Sequence, residues 1–168
     1  MSLLVWLVES NCSLYSKIPH EVTLSLNPAY RIILQLSAPS SPVANYVNTV
    51  RTGNLVFISG KGPLKSDGSY VLGKLGENLT LEQGYEAAQL TAINLISTLK
   101  TSIGDLSKVK RIVRVTGMVN ATSNFTDHPK VVNGCSDLLV EVFGDNGKHT
   151  RAAVGMNSLP LNIAVEID

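Results

Sequence analysis

A guanidinium and a carboxylate stand close together in sequence near the end of the chain. They are Arg151 and Glu166, in the stretch TRAAVGMNSLPLNIAVEID. Period-two alternation reads this stretch as a strand from Thr150 to Met156, a turn around Asn157–Asn162 that contains Pro160, and a second strand from Ile163 to Ile167. Arg151, Ala153 and Gly155 share one face of the first strand, and Ala164 and Glu166 share one face of the second. Folding the two strands back on each other would bring both charged groups to one surface with small neighbours. A fixed cation among small side chains suits a small anionic ligand. An ordinary cross-strand ion pair fits the same residues, and residue types alone leave both readings open.

Few other side chains offer chemistry. Cys12 and Cys135 lie far apart, and Cys135 falls in a helical pattern as a small buried hydrophobe rather than a nucleophile. His20, His128 and His149 have no metal-ligand spacing with each other or with the cysteines, so no metal site is expected. Asn-x-Ser/Thr sequons at Asn11, Asn78, Asn120 and Asn124 read as chance matches. The glycine-rich run GKGPLKSDGSYVLGKLGENLT has no Gly-Lys-Ser/Thr ending on a helix, so it reads as a loop rather than a phosphate cradle.

The elements that must hold these residues follow from period and punctuation. NYVNTVRTGNLVFISG is a hairpin, with Tyr46–Val50 and Leu55–Ser59 as strands and Gly53 in the turn. Thr80 with Gln83 forms a capping box for a helix over Leu81–Ser102, whose Ala88, Ala92, Leu95 and Leu99 make an apolar stripe, and Gly104 ends it. Val109–Asn120 alternates as one long strand. A second helix runs from Asp127, with Pro129 in its first turn, through Phe143, with Val132, Leu138, Leu139 and Val142 on its core face. The order β-β-α-β-α-β-β describes an α+β sandwich, a mixed β-sheet with two helices on one face. The uncovered face of such a sheet is suited to another copy of itself, which predicts a closed homo-oligomer with sites between subunits.

Composition bounds the rest. The chain has 168 residues, 44% apolar and 16% charged, which is one globular domain with a sizeable core. Net charge is +1 with no Lys/Arg run longer than two, so nothing points to nucleic acid or an acidic membrane as partner. No stretch is long and apolar enough to span a membrane. MSLLVWLV is apolar, but Glu9 interrupts it and no basic region precedes it, which argues against a signal peptide; Glu9 and Glu21 argue against a transit peptide. Residues 1–41 therefore read as an N-terminal extension, with SAPSSP (Ser37–Pro42) as linker, and residues 42–168 as the domain of a cytoplasmic protein.

From Val43 to Asp168 the chain resembles the Rid (reactive intermediate deaminase) family, also called YjgF-like or the liver perchloric-acid-soluble (L-PSP) family. The resemblance rests on Tyr46 in PVANYV, Ser59-Gly60 after LVFI, Asn133 in VVNG, Arg151 opening the penultimate strand, Leu159-Pro160, and Glu166 in AVEI. It implies a chorismate-mutase-like fold whose homotrimer packs three sheets into a barrel, with ligand clefts at the subunit interfaces. It also implies hydrolysis of enamine and imine intermediates to 2-keto acids and ammonia, with no metal or organic cofactor. In that scheme Arg151 grips the carboxylate of a small metabolite. Glu166 positions water or protonates the leaving nitrogen. Tyr46 supplies a ring wall and a hydroxyl from the neighbouring subunit, and Ser59, Gly60 and Asn133 line the cleft. Many active members carry Cys two residues after the Arg, where this chain has Ala153. The implied pocket is larger, less polar and without a thiol, which marks a divergent branch and weakens the case for 2-aminoacrylate itself. A non-catalytic keto-acid-binding trimer is the alternative expectation. An endoribonuclease, an activity assigned to some relatives, is a weaker one, because the chain has no basic groove or His pair.

Overall fold

The computed structural model of the protein describes residues 4–8, 21–27, 30–36, 38–39, 42 and 44–168. Helix α1 (Leu81–Ile103) begins as its sequence dictates: the Thr80 hydroxyl accepts from Gln83 N at 3.2 Å, and Gln83 Oε1 accepts from Thr80 N at 2.9 Å. It ends at Gly104, φ 80°, whose N–H returns to the Lys100 carbonyl. Helix α2 (His128–Phe143) starts after Asp127 with Pro129 in its first turn and buries Val131, Val132, Cys135, Leu138, Leu139 and Val142. Among the described residues, no helix is long and apolar enough to cross a membrane.

Besides one two-stranded hairpin, the described strands form two sheets, one of four antiparallel strands and one of three strands of mixed direction, and the helices pack against them. Strands β4 (Thr49–Thr52) and β5 (Leu55–Ile58) form the expected hairpin, with Gly53 at φ 56° in its turn. Tyr46, expected inside the first strand, lies in the irregular segment before it. Strand β1 (Leu4–Val8) joins the sheet between β5 and β6 (Val109–Ile112), antiparallel to both. Strands β2 (Glu21–Asn27) and β3 (Tyr30–Gln35) form a separate hairpin. The long strand expected over Val109–Asn120 breaks at Val113 into β6 and β7 (Arg114–Asn120). The break has a use: the Val113 carbonyl accepts from both the backbone N and the hydroxyl of Thr150, at 3.1 and 2.8 Å, and so fixes the start of β8 (Thr150–Met156).

The last strand, β9, is shorter than expected, Val165–Ile167, and it does not pair with β8. Strand β7 lies between them, parallel to β8 and antiparallel to β9. The physical reason is the crossover: a strand–helix–strand unit, β7–α2–β8, returns its second strand parallel beside the first. That leaves the other edge of β7 to β9. The core lies between sheet and helices, where Val115, Val119, Val165 and Ile167 meet Ala88, Ala92, Leu95, Val132 and Leu139, all fully or nearly fully buried.

Candidate functional site

Register decides which charged groups can meet. Arg151 lies opposite Val115 and Ala153 opposite Gly117, while Glu166 lies opposite Met118. Paired residues share a face and neighbours in a strand alternate, so Arg151 lies on the face of Val115 and Gly117 and Glu166 on the other. The first of these is the helix face, because a Cβ on Gly117 would run into Val132 of α2. The surface shared by Arg151 and Glu166 within one chain is therefore corrected: the sheet separates them. The small residues beside Arg151 serve packing instead. Ala153 rests on the core, and a Cβ on Gly155 would collide with the His128 ring of α2.

The Arg151 half is built by α2 and the turn before β8. Nη1 of Arg151 donates to Asn133 Oδ1 at 2.8 Å and to Ser136 Oγ at 3.0 Å. Both hydrogens of Nη1 are thereby used. Among the described residues the hydrogens of Nε and Nη2 have no partner, and they form the side-by-side pair that matches a carboxylate. Ser136 Oγ also lies 3.0 Å from His149 Nε2, and His149 Nδ1 lies 2.6 Å from the Gly147 carbonyl. Burial, with Arg151 adding repulsion, lowers the His149 pKa, and the Gly147 contact opposes this in part. Cys135 behind this wall is fully buried, and burial pushes its thiol up to about 12. Ser136 and His149 escaped the sequence reading. Asn133 and Ser136 at i, i+3 share a helix face, and His149 stands two residues before Arg151, just ahead of the start of β8. These spacings group each pair, but only the approach of the two elements brings the pairs together.

The second half surrounds Glu166. Its carboxyl lies over Gly60, so closely that a Cβ there would have no room. Lys61 and Ile167 exchange backbone hydrogen bonds at 3.0 and 2.9 Å, which holds the two segments in place. Burial raises the Glu166 pKa above the ordinary glutamate value. Ser59 turns its hydroxyl to the Val47 carbonyl at 2.6 Å, and its N–H donates to the Asn48 carbonyl at 3.0 Å. Ser59 thus ties down the segment that carries Tyr46. Tyr46, 47% exposed, borders a cavity of about 120 Å³ with Gly60, Lys61, Tyr70, Asn94 and Leu161. Lys61 is 8% exposed, and burial lowers its pKa. Its ammonium donates to Asn48 Oδ1.

The structure thus sorts the expected site residues into two groups. Arg151, Asn133 and Ala153 lie at α2, and Tyr46, Ser59, Gly60 and Glu166 lie around the β5–β9 junction. Among the described residues no hydrogen bond or ion pair joins Arg151 to Glu166. Nor does any group of three or more His, Cys, Asp or Glu stand where it could hold a metal.

Comparison with known proteins adds the relationship. Residues 31–167 match the model of a family described as YjgF/chorismate mutase-like, putative endoribonuclease. Protein TCP17 from Trypanosoma cruzi is 40% identical over 139 residues, which cover 82% of this chain and 87% of that one. A solved protein of unknown function from Agrobacterium tumefaciens, Atu1372, is 41% identical, with a TM-score of 0.72 over 74% of this chain and 80% of its own. A putative endoribonuclease from Shewanella oneidensis MR-1 is 34% identical, with a TM-score of 0.77 over 80% of this chain and 89% of its own. By these matches the chain belongs to the YjgF-like (Rid, L-PSP) family of chorismate-mutase-like fold.

Proposed function

We propose that the protein hydrolyses imines and enamines that carry a carboxylate, releasing a 2-keto acid and ammonia, in clefts between the subunits of a homotrimer. The observation that carries this reading is the Arg151 guanidinium. With Nη1 held by Asn133 and Ser136, its Nε–Nη2 edge is set in advance for a carboxylate. An enamine first takes a proton on carbon and becomes the imine. Water then adds across the carbon–nitrogen double bond, a proton moves to the carbinolamine nitrogen, and the carbon–nitrogen bond breaks as the hydroxyl gives up its proton, leaving the keto acid and ammonia. Glu166 suits the proton-transfer role, because burial keeps its carboxyl protonated to higher pH than an ordinary glutamate. An iminium carbon is already electrophilic, so positioning and proton transfer are sufficient.

The two-faced sheet supports a cleft shared by two chains. Within one chain the sheet separates Arg151 from Glu166, so a cleft that uses both would take Arg151 from one copy and Glu166 from the next. Apolar side chains for such an interface are present: Val154 is 42% and Met156 38% exposed, on the face of β8 away from the helices. The test is a coupled assay in which an amino-acid oxidase generates imines from several amino acids. Arg151-dependent acceleration of keto-acid release is expected. No rate above background, with Arg151→Ala indistinguishable from wild type, would remove the reading.

Ala153 favours one other reading, a binding protein without turnover, since the thiol present in many active relatives is absent. Saturable, Arg151-dependent binding of 2-keto acids with no imine hydrolysis would select it.

A further inference from the structure

We infer that Ser136 and His149 are positioning residues that aim the Arg151 guanidinium, His149 acting through Ser136. The hydrogen-bond directions follow from elementary chemistry. A carbonyl can only accept, so at 2.6 Å from the Gly147 oxygen it is Nδ1 of His149 that carries the hydrogen. Nε2 of the neutral ring is then the acceptor, and the Ser136 hydroxyl donates to it across 3.0 Å. That turns the lone pairs of Ser136 toward Arg151 Nη1, also at 3.0 Å. The chain Arg151 to Ser136 to His149 to Gly147 therefore has one consistent direction, and it requires an uncharged His149. Burial and the nearby guanidinium both favour that form.

The arrangement matters because of geometry within the guanidinium. Asn133 alone binds one hydrogen of Nη1, and a single hydrogen bond leaves the side chain free to pivot. A second acceptor for the other hydrogen fixes the plane and sends the Nε–Nη2 edge away from α2. A serine hydroxyl can rotate to donate or accept, so Ser136 is a dependable acceptor for Arg151 only while something else takes its proton. Neutral His149 does this. The reading rests on the proposal that Arg151 grips the ligand carboxylate, and the experiment separates the two.

His149→Gln and His149→Asn make the decisive pair. Glutamine can place an oxygen near the position of Nε2 and still accept from Ser136. Asparagine reaches only the position of Nδ1 and keeps the Gly147 contact alone. The first readout needs no ligand: NMR of 15N-labelled arginine measures rotation of the Arg151 Nη groups, with the signal assigned by its loss in Arg151→Lys. Rotation should stay slow in wild type and His149→Gln, and speed up several-fold in His149→Asn and Ser136→Ala. The second readout is binding of 2-oxobutanoate, whose Kd should rise about tenfold in His149→Asn and Ser136→Ala and little in His149→Gln. If the Gln and Asn variants rotate alike, the positioning role is overturned. If rotation follows the expected pattern while 2-oxobutanoate binding ignores even Arg151→Lys, the positioning role stands and the ligand reading falls.

Discussion

At the scale of single residues, Glu166 and Cys135 give the sharpest consequences of burial. Burial raises the folded pKa of Glu166 above its unfolded value, so the folded chain holds a proton that the unfolded chain has released in that window. The contribution to stability is complete below the unfolded pKa and is lost as pH rises through the folded one. At higher pH, folding must either bury the charge or take up a proton, a penalty that Glu166→Gln removes. The variant should melt up to about 2 °C higher than wild type at pH 7 and equally below about pH 4. Identical melting at pH 7 would mean that the carboxylate is well solvated. Cys135, with its thiol pushed up to about 12, should resist iodoacetamide at pH 8 in the folded protein and react fully after denaturation. Mass spectrometry decides it, and fast labelling of the native protein would show that α2 opens. The sequence carried Cys135 as a buried hydrophobe because its helical neighbours are apolar. It did not reveal the Ser136–His149 contact, because hydrogen bonding between residues of two elements depends on how closely those elements approach.

At the scale of elements, local signals and long-range pairings part company. Thr80, Gln83 and Gly104 set both ends of α1, because caps satisfy backbone groups within a few residues of themselves. Thr80→Ala should therefore cost about 1 kcal/mol. The pairing of β8 was not local. Two strands adjacent in sequence with a turn between them invite a hairpin, yet the preceding β7–α2–β8 crossover sets β8 parallel beside β7 and β9 takes the other edge of β7, so Glu166 lands across β7 from Arg151. The strand–helix–strand order was present in the sequence and outweighs the turn signal. The crossing of the helices is equally invisible to periodicity. A Cβ on Gly134 of α2 would strike the Tyr85 carbonyl of α1, and backbone cannot step aside as a flexible side chain can. Gly134→Ala should cost about 3 kcal/mol, the larger of the two losses. Urea titration of both variants ranks them, and a Gly134→Ala cost at or below that of Thr80→Ala would mean that the helices slide apart without strain.

At the scale of the whole molecule, the two faces of one sheet convert a puzzle about distance into a test of assembly. Net charge is +1 and no Lys/Arg run is longer than two, so a ribonuclease function would lack the electrostatic attraction that polyanion binding needs. Ribonuclease activity that survives Arg151→Ala would accordingly mark a contaminant. For the proposed imine hydrolase, Arg151→Ala and Glu166→Gln should each abolish turnover as homotrimers. Mixing them by co-refolding gives chains that keep either the arginine or the glutamate. If each cleft takes Arg151 from one chain and Glu166 from the next, random assembly supplies an intact arginine half the time and an intact glutamate half the time. About one quarter of the clefts are then complete, and the mixture should recover about one quarter of the wild-type rate. If both groups served one cleft from the same chain, every cleft in every mixture would carry one lesion and no rate would return. Recovery of the trimer by analytical ultracentrifugation, with no recovery of rate, would sink the shared cleft while leaving the fold untouched.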